Sequence, residues 1–148
     1  MQITSASAIV TGAGRGIGRA IALALAKEGA GVAAFSRTAG ELDSLVGEIQ
    51  MTGGRAIAVA GDIRERAASD RAVAAARKAH GRVQILVNNA GIGIHKQFIE
   101  TTDEDWSTTI DTNLSGVFYL TRAALPDLTN GGGHVFMISS LAGSNPIA

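Results

Sequence analysis

The sequence contains no cysteine, which excludes both a disulfide framework and a thiolate metal site and fits a reducing compartment. It has no apolar run of membrane-spanning length, and residues 1–7 lack the charged and apolar regions of a signal peptide. Charge of one sign is not in excess, because thirteen basic residues balance thirteen acidic ones. We therefore expect a cytoplasmic protein whose partners are neither nucleic acids nor membranes, and we predict no metal site.

Proline is also scarce, with two residues, whereas glycine occurs nineteen times and alanine is abundant. This composition suits close packing of helices on a sheet rather than a linker or a low-complexity chain. Because 46% of the 148 residues are hydrophobic, the chain can bury a real core. We predict a single domain over residues 1–148.

One glycine-rich stretch, from Ala8 to Gly18, reads A-I-V-T-G-A-G-R-G-I-G. A short apolar run ends in glycines and passes into a helical pattern, which predicts a strand, a tight turn and a helix. Glycine accepts a positive φ and lets a phosphate approach the backbone, and the helix start offers unpaired N–H groups. We predict a dinucleotide pyrophosphate site, and the alternative is an ordinary glycine turn. The predicted binding residues are Gly12, Arg15, Gly16, Ile17 and Gly18.

The spacing of these glycines is unusual, because Ile17 stands where the third glycine of G-x-G-x-x-G would be. The spacing that fits is T-G-x-x-x-G-x-G, from Thr11 to Gly18, and here the chain resembles the short-chain dehydrogenase/reductase family. The N-N-A-G of residues 88–91 is a second match to that family. The resemblance covers essentially the whole chain but only the first part of the family's domain. Within the family the chain is most similar to the 3-oxoacyl-[acyl-carrier-protein] reductase branch.

This resemblance implies a doubly wound α/β Rossmann fold with five parallel strands in the order 3-2-1-4-5, cut off after the fifth strand. It also implies an NADP-dependent oxidoreductase that moves a hydride between nicotinamide and a carbonyl or alcohol carbon of a small molecule. Related enzymes are commonly tetramers, so a homotetramer or a dimer is expected. Apolar runs place the later strands at Val32 to Phe35, Ala56 to Ala60, Val83 to Val87 and His134 to Ile138.

The end of the second strand indicates which cofactor binds. Ser36 and Arg37 follow the glycine loop by about 20 residues, where a dinucleotide fold reads the adenosine ribose. No acidic residue stands there to bind the 2′-hydroxyl of NAD or to suit an S-adenosylmethionine domain. Two guanidinium groups, Arg15 and Arg37, with the Ser36 hydroxyl suit a 2′-phosphate. We therefore predict NADP rather than NAD, and the alternative for Arg37 is an exposed arginine at a strand end.

The resemblance also assigns residues to the rest of the nucleotide. Asp62 and Ile63 follow the third strand, where the family's aspartate binds the adenine amino group. The alternative for Asp62 is an N-cap of the next helix. The resemblance places three residues of the N-N-A-G tetrapeptide, Asn89, Ala90 and Gly91, beside the nicotinamide ribose.

Two residues are assigned to catalysis by the resemblance. Asn113 matches the N-x-x-G asparagine, which sits at a helix irregularity and orders a proton-relaying water. The alternative is an asparagine satisfied by backbone groups. Ser140 matches the serine that stabilises substrate and intermediate, in an S-S-x-x-G form that spans Ser139 to Gly143, and Ser139 is the competing assignment.

The family's mechanism further needs a tyrosine general acid and a lysine that lowers its pKa, in a Y-x-x-x-K motif beyond that serine. The sequence stops at Ala148, before this motif, and the single tyrosine, Tyr119, has no lysine four residues on. We expect the chain to be part of a longer reductase. The alternative is a non-catalytic NADP-binding fragment or module.

Local patterns predict several helix features. T-x-x-E boxes at Thr38 to Glu41 and Thr101 to Glu104 predict capped helix starts. A stripe of apolar residues between Trp106 and Leu125 predicts core or a subunit interface. His80, beside a glycine stop, predicts a cation at a helix end.

The segment Ile92 to Ile99 carries His95, Lys96 and Phe98 on the ligand side of the sheet. These side chains either line the substrate site or belong to an exposed loop.

Overall fold

The computed structural model describes residues 3–140, which form one parallel sheet with helices on both faces. The strands are β1 (Ser7–Thr11), β2 (Gly31–Ser36), β3 (Arg55–Ala60), β4 (Val83–Asn88) and β5 (His134–Met137). The helices are α1 (Gly16–Lys27), α2 (Ala39–Met51), α3 (Arg66–His80), α4 (Asp103–Ile110) and α5 (Gly116–Thr129). A short 3₁₀ helix covers Phe98–Glu100, and a π-helical turn, Asp111–Ser115, joins α4 to α5. None of these helices is long and apolar enough to cross a membrane.

The sheet order is β3-β2-β1-β4-β5, as the sequence predicted. In register, Val10 of β1 lies between Ala34 of β2 and Val87 of β4. The order along the chain therefore reverses beside β1, since β2 lies on one side of it and β4 on the other. In open parallel sheets this reversal creates a crevice at the carboxyl ends of the strands, where ligands bind.

Alternate residues of the central strands pack into two separate hydrophobic cores, one on each face of the sheet. On one face, Val10 and Val32 pack with Leu42 and Leu45 of α2. On the other face, Ile9 and neighbouring strand residues pack against α3 and α5. All five residues of β1 are buried, because helices cover both of its faces. Burying each large aliphatic side chain contributes about 1.5–3 kcal/mol before entropy is counted, so these two layers fix the positions of the strand ends.

Two predicted helix starts differ from the structure. Thr38 is the N-cap of α2, but within the described residues its side chain makes no capping hydrogen bond. The capping box of α4 forms one residue later than predicted, at Thr102, whose hydroxyl accepts from the Asp105 N–H at 3.1 Å. Lys96 also pairs with Asp105 at 2.5 Å, and this contact lowers the pKa of that carboxyl to about 2. This ion pair with Lys96 favours the capping box between Thr102 and Asp105 over the predicted one between Thr101 and Glu104.

The alternative role of Asp62 as a helix N-cap is wrong. Helix α3 begins at Arg66 with Glu65 at its N-cap, three residues beyond Asp62. The Asp62 carboxylate instead accepts the backbone N–H of Arg64 at 2.9 Å. Because that hydrogen bond closes a local turn over residues 62–64, it delays the start of the helix.

The apolar stripe predicted as core or interface lies largely at the surface. Trp106 and Phe118 are 64% and 55% exposed, and Leu114 and Leu125 are exposed as well. The face that α5 buries carries a different series at helical spacing, namely Gly116, Leu120, Ala124 and Leu128. Core is therefore wrong for the exposed residues of the stripe, and a subunit interface stays a prediction.

His80 is not the helix-end cation that the sequence suggested. Its ring lies over Gly31 at the start of β2, and burial lowers the pKa of the imidazole, with the nearby Arg55 charge acting in the same direction. The neutral form is therefore favoured. Gly31 is required for this packing, because a β-carbon there would lie 2.5 Å from His80 Cγ.

A cluster of hydrogen bonds joins β1 to the end of β4. The Thr11 hydroxyl, 1% exposed as a residue, donates to the Val87 carbonyl at 3.2 Å. The same oxygen accepts the N–H groups of Asn89 and Ala90 at 2.9 and 2.8 Å. The Asn89 side-chain amide in turn donates to the Thr11 carbonyl at 2.9 Å. We call this set the Thr11 clasp, and it fixes the loop after β4 against the glycine loop.

Replacing Gly31 with alanine should destabilise the protein. The new methyl group would overlap the His80 ring, and such overpacking costs about 1–3 kcal/mol. The matched control is Gly47→Ala in α2, where a β-carbon meets nothing within 4 Å. That change should raise the free energy of unfolding by about 0.5–1 kcal/mol. Urea unfolding of both variants tests the contact, and equal stability of the two would contradict it.

Thr11→Val should lower the free energy of unfolding by about 1–3 kcal/mol, because valine keeps the shape but leaves two partly buried N–H groups, those of Asn89 and Ala90, without an acceptor. Thr11→Ser is the control, since it retains the hydroxyl and should retain most of the stability. Urea unfolding measures both variants. If Thr11→Val and Thr11→Ser had the same free energy of unfolding, the hydrogen bonds of the clasp would make no net contribution to stability.

Candidate cofactor and active site

A cleft of about 550 Å³ opens at the carboxyl ends of β1, β2 and β4. It is lined by every residue predicted to bind the nucleotide except Gly18, which lies beneath the loop. The predicted residues on its walls are Gly12, Arg15, Gly16, Ile17, Ser36, Arg37, Asp62, Ile63, Asn89, Ala90 and Gly91. The sequence predictions missed others, namely Thr11, Gly14, Phe35, Thr38, Glu41, Gly61, Ile92 and Thr112.

The glycine loop owes its shape to three positions. Gly12 and Gly16 have φ values of +62° and +56°, which side chains strongly disfavour. A β-carbon at Gly12 would lie 3.0 Å from both Ala90 Cα and the Asn89 amide nitrogen. One at Gly18 would collide with the Gly12 carbonyl. These glycines let the loop, the start of α1 and the Asn89 loop come together.

The first turn of α1 has the features that favour an anion. Arg15 is its N-cap, and the first turn contains no acidic residue that would neutralise the positive end of the helix dipole. Its N–H groups lack intrahelical acceptors and face the cleft formed by the glycine loop. A pyrophosphate fits such a helix start.

The neighbouring end of β2 carries the residues that are predicted to bind the 2′-phosphate. The Ser36 hydroxyl is buried and has no hydrogen-bond partner among the described residues. Arg15 and Arg37 are exposed, and neither forms an ion pair within residues 3–140. One orphaned hydroxyl and two unpaired guanidinium groups therefore line the same wall, which is a donor set suited to a phosphate.

The wall predicted to hold adenine contains Asp62 and Ile63. Arg64 binds the Asp62 carboxylate, with Nη2 at 2.7 Å from Oδ2, and this hydrogen bond holds the pKa of Asp62 below its usual value. Ile63 is 8% exposed and packs on Gly116, where a β-carbon would lie 2.7 Å from Ile63 Cγ1. The start of α5 therefore fixes this wall.

Asn113 lies in the π-helical turn Asp111–Ser115, so the helix irregularity expected around it is present. Its Oδ1 accepts the Ile92 N–H and its Nδ2 donates to the Ile92 carbonyl, both at 2.9 Å. The alternative of an amide satisfied by backbone groups is thus realised in the structure, although the residue is exposed rather than buried. The two bonds hold the loop that follows Gly91.

A second cavity of about 570 Å³ adjoins the first and brings Asn113 together with Ser139 and Ser140. It also shares Ile17 and residues 89–92 with the cofactor cleft. The two residues predicted for catalysis therefore line one space beside the predicted nicotinamide wall. Gly143, the last residue of the S-S-x-x-G match, lies outside the described residues.

Asn88 is a further lining residue that the sequence predictions did not single out. Its Nδ2 donates to Thr121 Oγ1 at 3.1 Å and approaches Met137 Sδ at 3.4 Å. Its Oδ1 is buried without a partner among the described residues. The only sequence signal was its place as the first letter of N-N-A-G.

The segment 92–99 follows the exposed-loop alternative. Lys96 is tied to Asp105, and Phe98 is 94% exposed. His95, Lys96 and Phe98 line neither of the two cavities found in the described part of the chain.

Comparison with known proteins agrees with this geometry. The family model for short chain dehydrogenases matches residues 6–148. Oxidoreductase UcpA of Salmonella typhimurium is 37% identical over 143 residues, which are 96% of this chain and 54% of that protein. A 3-oxoacyl-[acyl-carrier-protein] reductase of Synechocystis is 38% identical over 95% of this chain and 58% of its own length. The chain thus spans about half the length of these curated relatives.

Two solved structures are similar along almost the whole chain. A metagenomic short-chain oxidoreductase in complex with NADP has a TM-score of 0.92 and 37% identity, covering 100% of this chain and 68% of that one. The L-sorbose reductase of Gluconobacter frateurii, complexed with NADPH and L-sorbose, has a TM-score of 0.91 and 30% identity, covering 99% and 57%. The family match, the sheet order and these neighbours confirm the Rossmann fold inferred from the glycine motif, and the chain belongs to the short-chain dehydrogenase/reductase family.

Proposed function

We propose that this chain is the cofactor-binding part of an NADP-dependent oxidoreductase, which transfers a hydride between nicotinamide and a carbonyl or alcohol carbon of a small molecule. The observation that carries the proposal is the wall of the cleft that combines the unpartnered Ser36 hydroxyl with Arg15 and Arg37. The two similar structures described above are complexes with NADP and NADPH, which supports the same cofactor here.

The residues present fit a dinucleotide. Backbone N–H groups at the start of α1 would hold the pyrophosphate, and the collisions at Gly12 and Gly18 show that side chains there would close the loop onto residues 89 and 90. Arg15, Ser36 and Arg37 would hold the 2′-phosphate, and Asp62 the adenine. The bound cofactor supplies the hydride chemistry, and the protein supplies position and proton transfer.

On the substrate side, we propose that the Ser140 hydroxyl donates a hydrogen bond to the carbonyl or alcohol oxygen of the substrate. Asn113 acts by holding the loop after Gly91 in place through its two bonds to Ile92. The tyrosine acid and its lysine are proposed to follow residue 148 in a longer protein, in keeping with the length of the relatives. The second candidate is a non-catalytic NADP-binding module, which would use the same cofactor cleft.

The finer features of the proposal rest on resemblance. A substrate of the 3-oxoacyl thioester type is supported by the similar Synechocystis reductase. A homotetramer or dimer is supported by the exposed apolar stripe that includes Trp106 and Phe118. We further propose a cytoplasmic location, consistent with the absence of cysteine from the sequence.

Arg37→Ala should weaken NADPH binding by about tenfold or more, since a charge-assisted hydrogen bond contributes about 1.5–3 kcal/mol. NADH binding should change little, because NADH has no 2′-phosphate. Isothermal titration of the full-length protein measures both affinities. Arg66→Ala, an exposed arginine outside the cleft, is the matched control. Equal losses for NADPH and NADH would contradict the assignment of Arg37.

Ser140→Ala in the full-length protein should lower kcat by about a hundredfold, the scale expected when one donor to a reacting oxygen is lost. NADPH affinity should stay within about twofold, because Ser140 does not line the cofactor cleft. Stopped-flow absorbance of NADPH oxidation with a 3-oxoacyl thioester or a sugar ketone is the measurement.

Two comparisons sharpen that experiment. Ser139→Ala should lose less activity than Ser140→Ala, and the reverse order would move the role to Ser139. Ser44→Ala, exposed on α2, controls for loss of a hydroxyl elsewhere. NADPH binding without any carbonyl reduction by the full-length protein would favour the non-catalytic module.

A further inference from the structure

Glu41 places an unneutralised carboxylate in the cofactor cleft. It lies in the first turn of α2, is half-buried and lines the cleft. Its carboxylate forms no hydrogen bond or ion pair with any residue from 3 to 140. The sequence predicted it as part of a capping box, but Thr38 makes no capping bond with its side chain.

The position of the Glu41 carboxylate is defined by Gly14. A β-carbon at Gly14 would touch Glu41 Oε2, and it would also lie 2.9 Å from Glu41 Cβ and 3.2 Å from Ser36 Oγ. Glu41 and the orphaned Ser36 hydroxyl therefore stand beside the same point of the glycine loop. These are the residues next to which the 2′-phosphate is proposed to bind.

The other acidic residue of the cleft does not have this effect. Asp62 is paired with Arg64 at 2.7 Å, and the charge of Arg37 further lowers the pKa of its carboxyl. Glu41 has no such cation bound to it. Arg15 and Arg37 are therefore opposed by one free negative charge on the same wall, and the field there is less positive than the two arginines alone would give.

We propose that Glu41 is a cofactor-specificity residue that favours the unphosphorylated adenosine ribose over the 2′-phosphate. A carboxylate only accepts hydrogen bonds, so it can bind a ribose hydroxyl, whereas a phosphate offers it no proton and adds like charge. Arg15 and Arg37 act in the opposite direction. The protein therefore binds NADH as well as NADPH, with a smaller preference for NADPH than its arginines would produce. This inference rests on the proposed function.

A purely structural role for Glu41 makes a different prediction. An acidic side chain in the first turn stabilises a helix through its dipole, whichever cofactor is bound. Removing the charge would then change stability but leave the ratio of the two cofactor affinities unchanged. The ratio of NADPH affinity to NADH affinity therefore distinguishes a specificity role of Glu41 from a purely structural one.

The test is Glu41→Gln, which keeps the size of the side chain and removes its charge, with Asp43→Asn as the matched control. Asp43 is exposed on the same helix and lies outside the cleft. Dissociation constants for NADPH, NADH, 2′,5′-ADP and 5′-AMP are measured by isothermal titration of the full-length protein. The last two compounds differ only in the 2′-phosphate and lack the nicotinamide, so the nicotinamide side cannot cause a difference between them.

In Glu41→Gln, NADPH and 2′,5′-ADP should bind about tenfold more tightly, which corresponds to about 1.4 kcal/mol. NADH and 5′-AMP should bind more weakly or equally, so the affinity ratio shifts toward the ligands that carry a 2′-phosphate. Asp43→Asn should leave the ratio within about twofold of wild type. An unchanged ratio in Glu41→Gln overturns the inference.

The outcomes separate this inference from the proposed function. If wild-type protein binds NADPH and Arg37→Ala weakens it, but Glu41→Gln leaves the ratio unchanged, only the inference fails. If wild-type protein binds neither NADPH nor NADH, both the proposed function and this inference are wrong.

Discussion

The candidate site depends on the Thr11 clasp, in which one buried hydroxyl serves three backbone groups. The connections after β1 and β4 lead to helices on opposite faces of the sheet, so the two loops need a fixed contact at the carboxyl ends of these strands to keep the crevice at one width. Thr11 provides it through Val87, Asn89 and Ala90. The Asn89 amide approaches closely only because Gly12 has no β-carbon and takes a φ of +62°. The glycine loop and the N-N-A-G loop are thus two parts of one hydrogen-bonded unit.

Two motifs, the glycine loop and N-N-A-G, carried the family resemblance, and that resemblance implied the sheet order 3-2-1-4-5 and most of the cofactor wall. Residues at strand ends such as Arg37 then meet at one edge, because the strands are parallel. The sequence did not show whether a polar side chain contacts its own helix or a residue far away in the chain. Glu41 matched a capping box, but its side chain lies beside Gly14 of the glycine loop. His80 looked like a helix-end cation, but the space left by Gly31 buries its ring, and desolvation of the charged form prevails.

Helix α5 shows a second limit of pattern reading. Its sequence carries two apolar series, and periodicity alone does not say which one packs on the sheet. The small residues Gly116 and Ala124 allow close approach to Ile63 and α3, so their series is buried with Leu120. The bulkier series remains outside, where Arg122 lies over the Phe118 ring at 4.9 Å. A continuous exposed apolar patch usually marks a contact with another protein surface.

Cofactor selection in such a cleft is a difference between two free energies, so it cannot be inferred from the cations alone. Arg15 and Arg37 attract a phosphate, but the same wall holds two carboxylates with different surroundings. Asp62 is neutralised by Arg64, whereas Glu41 is bound to no cation within the described residues. Counting residue types at the end of β2 finds the arginines and misses Glu41, because Glu41 reaches the site from the following helix. The charge balance that decides between a hydroxyl and a phosphate is therefore a property of three elements together: the glycine loop, the end of β2 and the first turn of α2.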